Sequence, residues 1–261
     1  MPATAQRLVL ASSLLTACTG NAANEPAQAA SPEARDPDHA LKDTSPPVPD
    51  DKPDAKAEDP APDSTAASTR TWTFDDALPG QVPAGIRLTE TGGLGTPATW
   101  AVVADDSAPT KPHAFGVTES KNTKKTYNLA LFEGTRYGDV DLQVMLRAVS
   151  GQLNGGGGPI WRVEDENNYY IARWDPTEDN AYLYVVRSGN RTALATVDLQ
   201  LDHEAWHALR VVTEGPRIQL YIDDALVLSA EDSALTEPGM IGLWTKSDGA
   251  TLFDDVSVGT P

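Results

Sequence analysis

Residues 71–261 are predicted to fold as an all-β, two-sheet antiparallel β-sandwich of the jelly-roll type. Three observations predict it. Polar and apolar residues alternate with a period of two in several runs, clusters of turn-forming residues separate those runs, and helical periodicity never persists beyond two turns.

In chain order, Trp72-Thr73-Phe74-Asp75-Asp76 reads as the opening strand. It is expected to lie beside the closing run Thr251-Leu252-Phe253-Asp254-Asp255-Val256, so that the two ends seal the domain. Asp139 to Arg147 alternates cleanly. Ile160 to Val163 and Tyr169 to Trp174 form a hairpin around Glu166-Asn167-Asn168. Alternation there puts Tyr169, Ile171 and Arg173 on one face and Tyr170, Ala172 and Trp174 on the other. Tyr182 to Val186 alternates again and runs into the turn Ser188-Gly189-Asn190. Asp202 to Val211 reads as a loop entering a strand. Arg217 to Ile222 sits between Glu214-Gly215-Pro216 and Asp223-Asp224, and Glu237-Pro238-Gly239 is the last turn signal.

The chain before the domain has a different character. The short apolar stretch Leu8 to Leu15 ends in Leu15-Thr16-Ala17-Cys18, small residues ahead of the chain's only cysteine. That pattern has the form of a bacterial lipobox, with residues 1–17 a removed signal peptide and Cys18 an acylated N-terminus. The apolar run is too short to span a bilayer. Thr19 follows the cysteine in place of an aspartate, which favours an outer-membrane or cell-surface lipoprotein. Residues 18–70 are rich in proline, alanine and acidic residues and contain no aromatic residue. Such a segment buries too little apolar surface to offset its ordering entropy, so it is expected to be a disordered tether. Roughly 50 residues of this kind reach about 40 Å as a coil and about 160 Å as extended polyproline.

With 38 acidic against 20 basic residues and a formal charge of −18, the chain is a poor partner for nucleic acid or an acidic membrane surface. Neutral sugars, cations and basic surfaces stay open. The membrane is met through the lipid anchor only, and a monomer is expected. With no second cysteine, the domain must be stabilised by its core, helped at most by a metal. Gly155 to Gly158 lacks the strand-to-helix context that phosphate binding requires.

Two segments carry a family resemblance. The first contains Gly157-Gly158-Pro159-Ile160-Trp161-Arg162, Asp165, Asn168-Tyr169-Tyr170-Ile171-Ala172-Arg173, Glu178-Asp179-Asn180, Leu183-Tyr184, Gly189 and Arg191. The second contains Pro238-Gly239-Met240-Ile241-Gly242-Leu243-Trp244-Thr245-Lys246 and Phe253-Asp254-Asp255. Together they resemble bacterial domains of the concanavalin A-like lectin/glucanase superfamily, of the kind labelled family-16 glycoside-hydrolase-like or 3-keto-disaccharide-hydrolase-like. The resemblance implies a jelly roll whose concave face or loop rim meets carbohydrate. Fold alone does not license an activity.

A retaining glucanase of that family sets two carboxylates about 5 Å apart on alternate residues of one strand, in a Glu-x-Asp-x-x-Glu pattern. That motif is absent. Glu164-Asp165-Glu166 and Glu178-Asp179 are contiguous, so neighbours point apart. If the domain is a hydrolase, Glu178 or Asp179 is the candidate acid or base. For sugar binding, Trp161, Arg162, Tyr170, Arg173, Asn180, Trp244 and Lys246, with Glu178, offer stacking rings and hydroxyl partners. Each ring alone reads first as core packing, and only the set as a platform. His113, His203 and His207 read as surface residues, since a zinc pair at 203 and 207 would need a helix. Asp75, Asp76, Asp254 and Asp255 are candidate ligands for a structural Ca2+ joining the terminal strands.

The leading expectation is therefore a cell-surface, lipid-anchored carbohydrate-binding domain whose partner is an oligo- or polysaccharide. The alternatives are a glycoside hydrolase of the 3-keto-disaccharide-hydrolase-like type and a non-catalytic envelope domain for protein contacts.

Overall fold

A computed structural model describes residues 69–93, 97–122, 126–151 and 155–261. The signal segment 1–17, Cys18 and all but the last two residues of the 18–70 tether lie outside the described residues. The strands, in chain order, begin with β1 (Arg70–Trp72), β2 (Ile86–Thr91), β3 (Thr99–Ala104), β4 (His113–Glu119) and β5 (Tyr127–Phe132). Next come β6 (Asp141–Ser150), β7 (Gly157–Asp165), β8 (Asn168–Asp175), β9 (Asn180–Arg187) and β10 (Asn190–Asp198). The last are β11 (His207–Glu214), β12 (Arg217–Ile222), β13 (Ala225–Glu231), β14 (Met240–Lys246) and β15 (Ala250–Gly259). They make two antiparallel sheets. The larger has the order β13-β12-β11-β6-β15-β4-β3, with β1 added on β15, and the smaller has the order β10-β9-β8-β7-β14-β5-β2. The all-β sandwich expected from the alternation is the fold.

The larger sheet turns period-two patterning directly into packing. In β6, Leu142, Val144 and Leu146 are fully buried, while Asp141, Gln143 and Met145 on the opposite face stay half-exposed. In β12, Ile218, Leu220 and Ile222 point inward and Arg217, Gln219 and Tyr221 point outward. From the smaller sheet, Trp161, Tyr170, Trp174, Leu183, Val185 and Leu243 complete the core between the layers. Burying each such side chain contributes about 1.5–3 kcal/mol for a residue of Leu or Phe size.

The smaller sheet departs from this pattern. Its other face buries a second cluster that includes Tyr127, Leu129, Ile160, Tyr169, Ile171, Tyr184, Val186 and Trp244. Strand β8 accordingly reads as an unbroken buried run from Tyr169 to Asp175. A sheet apolar on both faces must be covered on both, and that distinguishes this layer from its partner.

Two local features fix the geometry of β8. The chain turns at Glu166-Asn167 and returns in the expected hairpin, with Trp161 opposite Tyr170 and Ile160 opposite Ile171. The glycine run opens β7 rather than a phosphate loop. A Cβ on Gly156 would collide with the Trp174 carbonyl and one on Gly158 with the Ala172 carbonyl, so only glycine lets the strands approach this closely.

The two ends meet as expected, with Arg70 opposite Val258 and Trp72 opposite Val256. The opening strand stops at Trp72 instead of running on to Asp76. Phe74 takes a φ of 65°, and the Asp75 carboxylate accepts the His113 N–H at 3.0 Å, so the chain is drawn off the ladder towards β4.

Candidate functional site

The outer face of the smaller sheet gathers most of the chemistry. Antiparallel register places Asp175 opposite Asn180, Arg173 opposite Tyr182, and Ile171 opposite Tyr184 across β8 and β9. Strand β10 adds Arg191 opposite Val186, while Trp244 and Lys246 of β14 lie opposite Leu129 and Tyr127 of β5. Directly opposed residues share a sheet face, so these side chains project to the same side, away from the sandwich core.

Arg173 is the centre of the group. Only 2% of it is exposed, and its guanidinium pairs with the fully buried carboxylate of Asp175. It also donates from Nη2 to Glu178 Oε2 at 3.4 Å. A buried cation without such partners would be strongly destabilising. The turn after β8 supplies them: Asp175 Oδ1 accepts the Thr177 N–H at 2.8 Å, and Asp179 takes a φ of 49° before β9 begins. Burial and the nearby Arg191 charge pull the Arg173 pKa down, opposed by Tyr184 and Glu178. Glu178 is held below its usual value. Partial burial works against ionisation, but the Asn180 amide and the Arg173 and Lys246 charges outweigh it. At neutral pH this carboxylate is therefore an acceptor of hydrogen bonds and has no proton to give.

Aromatic rings floor the site. Tyr182 and Tyr184 stack with centroids 4.8 Å apart and planes 9° from parallel. Arg173 lies 5.9 Å from the Tyr182 centroid, and Arg191 lies 4.1 Å from that of Tyr184. Arg191 also covers Tyr127 at 5.4 Å and Trp244 at 5.8 Å. Cation–π contacts of this kind contribute about 0.5–2 kcal/mol each, more where desolvated. Tyr182, Arg191, Asn180 and Lys246 are half-buried and Glu178 is exposed, so the outer rim is polar while the floor is closed.

Several sequence-predicted residues stand elsewhere. Arg173, Asn180, Trp244 and Lys246 do share this face, with Glu178 at its rim. Trp161 and Tyr170 do not: they stack on each other at 5.5 Å inside the sandwich, fully buried. The Tyr170 hydroxyl donates to Asp232 and accepts the Leu235 N–H at 3.2 Å, and burial with the Asp232 carboxylate pushes its pKa up to about 12. Arg162, 4% exposed, is a clamp between loops. It donates to the Gly138, Leu235 and Gly215 carbonyls and to Asp139. For Trp161 and Tyr170 the hairpin alternation explains why, since the face opposite Arg173 is the core face; Arg162 leaves that alternation at a φ of 46°, where the β7–β8 register shifts. Trp244 is on the right face but fully buried beneath Arg191, so it shapes the floor without offering a free ring.

The Asp179 carboxylate meets His203 Nε2 at 2.9 Å, and its carbonyl accepts the Leu199 N–H at 2.8 Å. His203 is the surface residue expected. His207 is not, since it is 6% exposed, bonded to Asp223 and the Asp202 carbonyl and packed edge-on against Trp174. Of the aspartates expected to hold calcium, Asp75 binds the His113 backbone, and Asp254 accepts the Thr110 and Asp255 N–H groups at 3.0 and 2.8 Å. Among the described residues, no group of three or more His, Cys, Asp or Glu is placed to hold a metal. As site residues, Tyr182, Asp175 and Tyr127 are missing from the sequence reading, and Tyr184 and Arg191 enter it only within the family pattern. The Tyr-x-Tyr spacing of β9 was the available signal for two of them. Nothing local to Arg191 reveals its ring contacts, which follow from the pairing of β10 with β9.

Comparison with known proteins matches this architecture. No family model matches the chain. A stretch of 110 residues, 41% of the chain, is 30% identical to the levanase of Bacillus subtilis (strain 168), and it covers 16% of that enzyme. The chain thus spans about a sixth of that relative's length. Among solved structures, the carbohydrate binding module CBM66 from Bacillus subtilis has a TM-score of 0.50 at 22% identity, covering 64% of this chain and 99% of the module. The cellulose-induced protein Cip1 has a TM-score of 0.52 at 15% identity, covering 74% of this chain and 97% of Cip1. The fold these structures share with the chain is the two-sheet antiparallel β-sandwich of the jelly-roll type.

Proposed function

We propose that the domain is a lectin-like carbohydrate-binding module that holds an oligo- or polysaccharide on the outer face of its smaller sheet. The observation that carries this reading is the convergence of Arg173, Glu178, Asn180, Tyr182, Arg191 and Lys246 on one side of that sheet. A sugar presents hydroxyls that both donate and accept, and apolar C–H faces between them. Arg191, Asn180 and Lys246 donate, Glu178 accepts, Arg173 holds Glu178 in place, and the half-buried Tyr182 ring can receive a C–H face. The similarity to a levanase segment and to a carbohydrate binding module supports the same reading. Binding is favoured over hydrolysis because Glu178 is held ionised and its neighbour Asp179 is engaged with His203. The lipobox adds an envelope lipoprotein anchored through Cys18, with the tether holding the module away from the membrane.

The test follows ligand NMR signals of a panel of oligosaccharides, including 3-keto-disaccharides, over hours with the full chain. Line broadening without products is expected, and Tyr182→Ala should weaken it about tenfold or more while circular dichroism is unchanged. New product peaks would make the protein an enzyme, and binding indifferent to Tyr182→Ala would place the sugar elsewhere. Incorporation of labelled palmitate, lost in Cys18→Ala, tests the anchor.

A further inference from the structure

Arg191 has no carboxylate within ion-pair distance among the described residues. Its Nη1 is buried and has no hydrogen-bond partner, and the Nε of the neighbouring Arg173, itself 2% exposed, is likewise unpartnered. The two guanidiniums lie on successive rings of the Tyr182–Tyr184 stack, close enough that the Arg191 charge disfavours that of Arg173. Arg173 has Asp175 and Glu178 to balance it; Arg191 has only the faces of Tyr184, Tyr127 and Trp244. A guanidinium laid on rings keeps its donors in its own plane, in the fork that matches a carboxylate.

We infer that the ligand of this face is a sugar bearing one anionic group, a carboxylate such as that of a uronic acid, received by Arg191 beside Arg173. The inference rests on the sugar-binding reading of the same face. It calls for a single charge met at contact. With a formal charge of −18 the chain draws no polyanion from a distance, so recognition depends on the local fork and not on long-range attraction. The Asp175 and Glu178 carboxylates, drawn to Arg173, leave the Arg191 side as the place for the ligand's charge.

The experiment is calorimetric titration of the full chain at pH 7 with glucuronate- and galacturonate-containing oligosaccharides. Each is run beside its methyl ester, which keeps the shape and removes the charge, and beside a neutral parent sugar. The acid form is expected to bind about tenfold or more tightly than the ester, the advantage typical of a charge-assisted bidentate pair. Arg191→Gln should abolish that difference, with circular dichroism reporting that the fold is kept. The acid–ester comparison on the unaltered chain decides the matter even if the variant fails to fold. Equal affinity for acid and ester, or binding of neutral sugars alone, would overturn the anionic ligand and leave sugar binding standing. No binding of any acid, ester or neutral sugar would overturn both.

Discussion

Asp254 is the carboxyl most displaced from ordinary behaviour. It is fully buried in β15, and burial first, then the Asp255 and Asp75 charges, push its pKa up to about 7, against the two backbone N–H groups that favour the ionised form. A group whose folded pKa is raised stabilises the fold fully below its unfolded value, here 3.8, and that contribution is lost as pH rises through about 7. The full shift corresponds to about 4 kcal/mol, and the high effective dielectric found even at buried sites reduces the expected effect to about 2 kcal/mol. The perturbation is Asp254→Asn, which cannot ionise. Other carboxylates titrate in both proteins, so the informative quantity is the difference between them. Urea unfolding from pH 4 to 8 should show the original chain losing about 2 kcal/mol relative to the variant as pH rises, or about 4–8 °C in Tm for a domain of this size. A difference that stays flat, or that favours the original chain at high pH, would refute the reasoning. The same melts with added calcium test the ion expected from the sequence: a rise in Tm that Asp254→Asn removes would place it at this carboxylate.

Two further outcomes follow from single residues. Arg162→Met should cost about 3–5 kcal/mol in urea unfolding, because it strips a buried cation from Asp139 and leaves three carbonyls without their donor; a loss under about 1 kcal/mol would show that the clamp is not structural. Glu178, with its pKa lowered, contributes stability and acceptor capacity that are present at neutral pH and are lost only as pH falls through its depressed value. Sugar affinity should therefore be flat from pH 8 to 6 and become pH-independent down to lower pH in Glu178→Gln, at a uniformly weaker level; a rise in affinity on acidification would contradict the assigned role.

The sandwich was legible because alternation is a local property. Leu142, Val144 and Leu146, or Ile218, Leu220 and Ile222, declare an inward face whatever surrounds them. The candidate face was only half legible. Alternation separated Arg173 from Tyr170 and Trp174 correctly, yet it cannot say which of two aromatic-rich faces is the core, because β8 is buried on both. Trp161 and Tyr170 were read as a platform for that reason, and Arg162 with them. The missing information is tertiary: the larger sheet lies against the Trp161 side. The orientation of the four aspartates named for calcium is tertiary in the same way: lying near two paired strand ends does not by itself turn their oxygens to a common point, and backbone amides engage Asp75 and Asp254.

The doubly buried sheet also explains how an acidic, cysteine-poor domain presents rigid cationic donors. An arginine on an open surface would spend rotamer entropy on every ligand it met. Arg173 has already lost that freedom, being held by Asp175 and Glu178 and laid along Tyr182. Arg191 is fixed by three rings instead of by acids, so its position is set while its Nη1 is left without an acceptor among the described residues. Ring packing thus positions the charge without neutralising it, a combination that salt bridges cannot provide. The excess buried aromatic surface of the smaller sheet, which looks redundant for a sandwich core, is what allows a cationic side chain to be held in place and still unsatisfied.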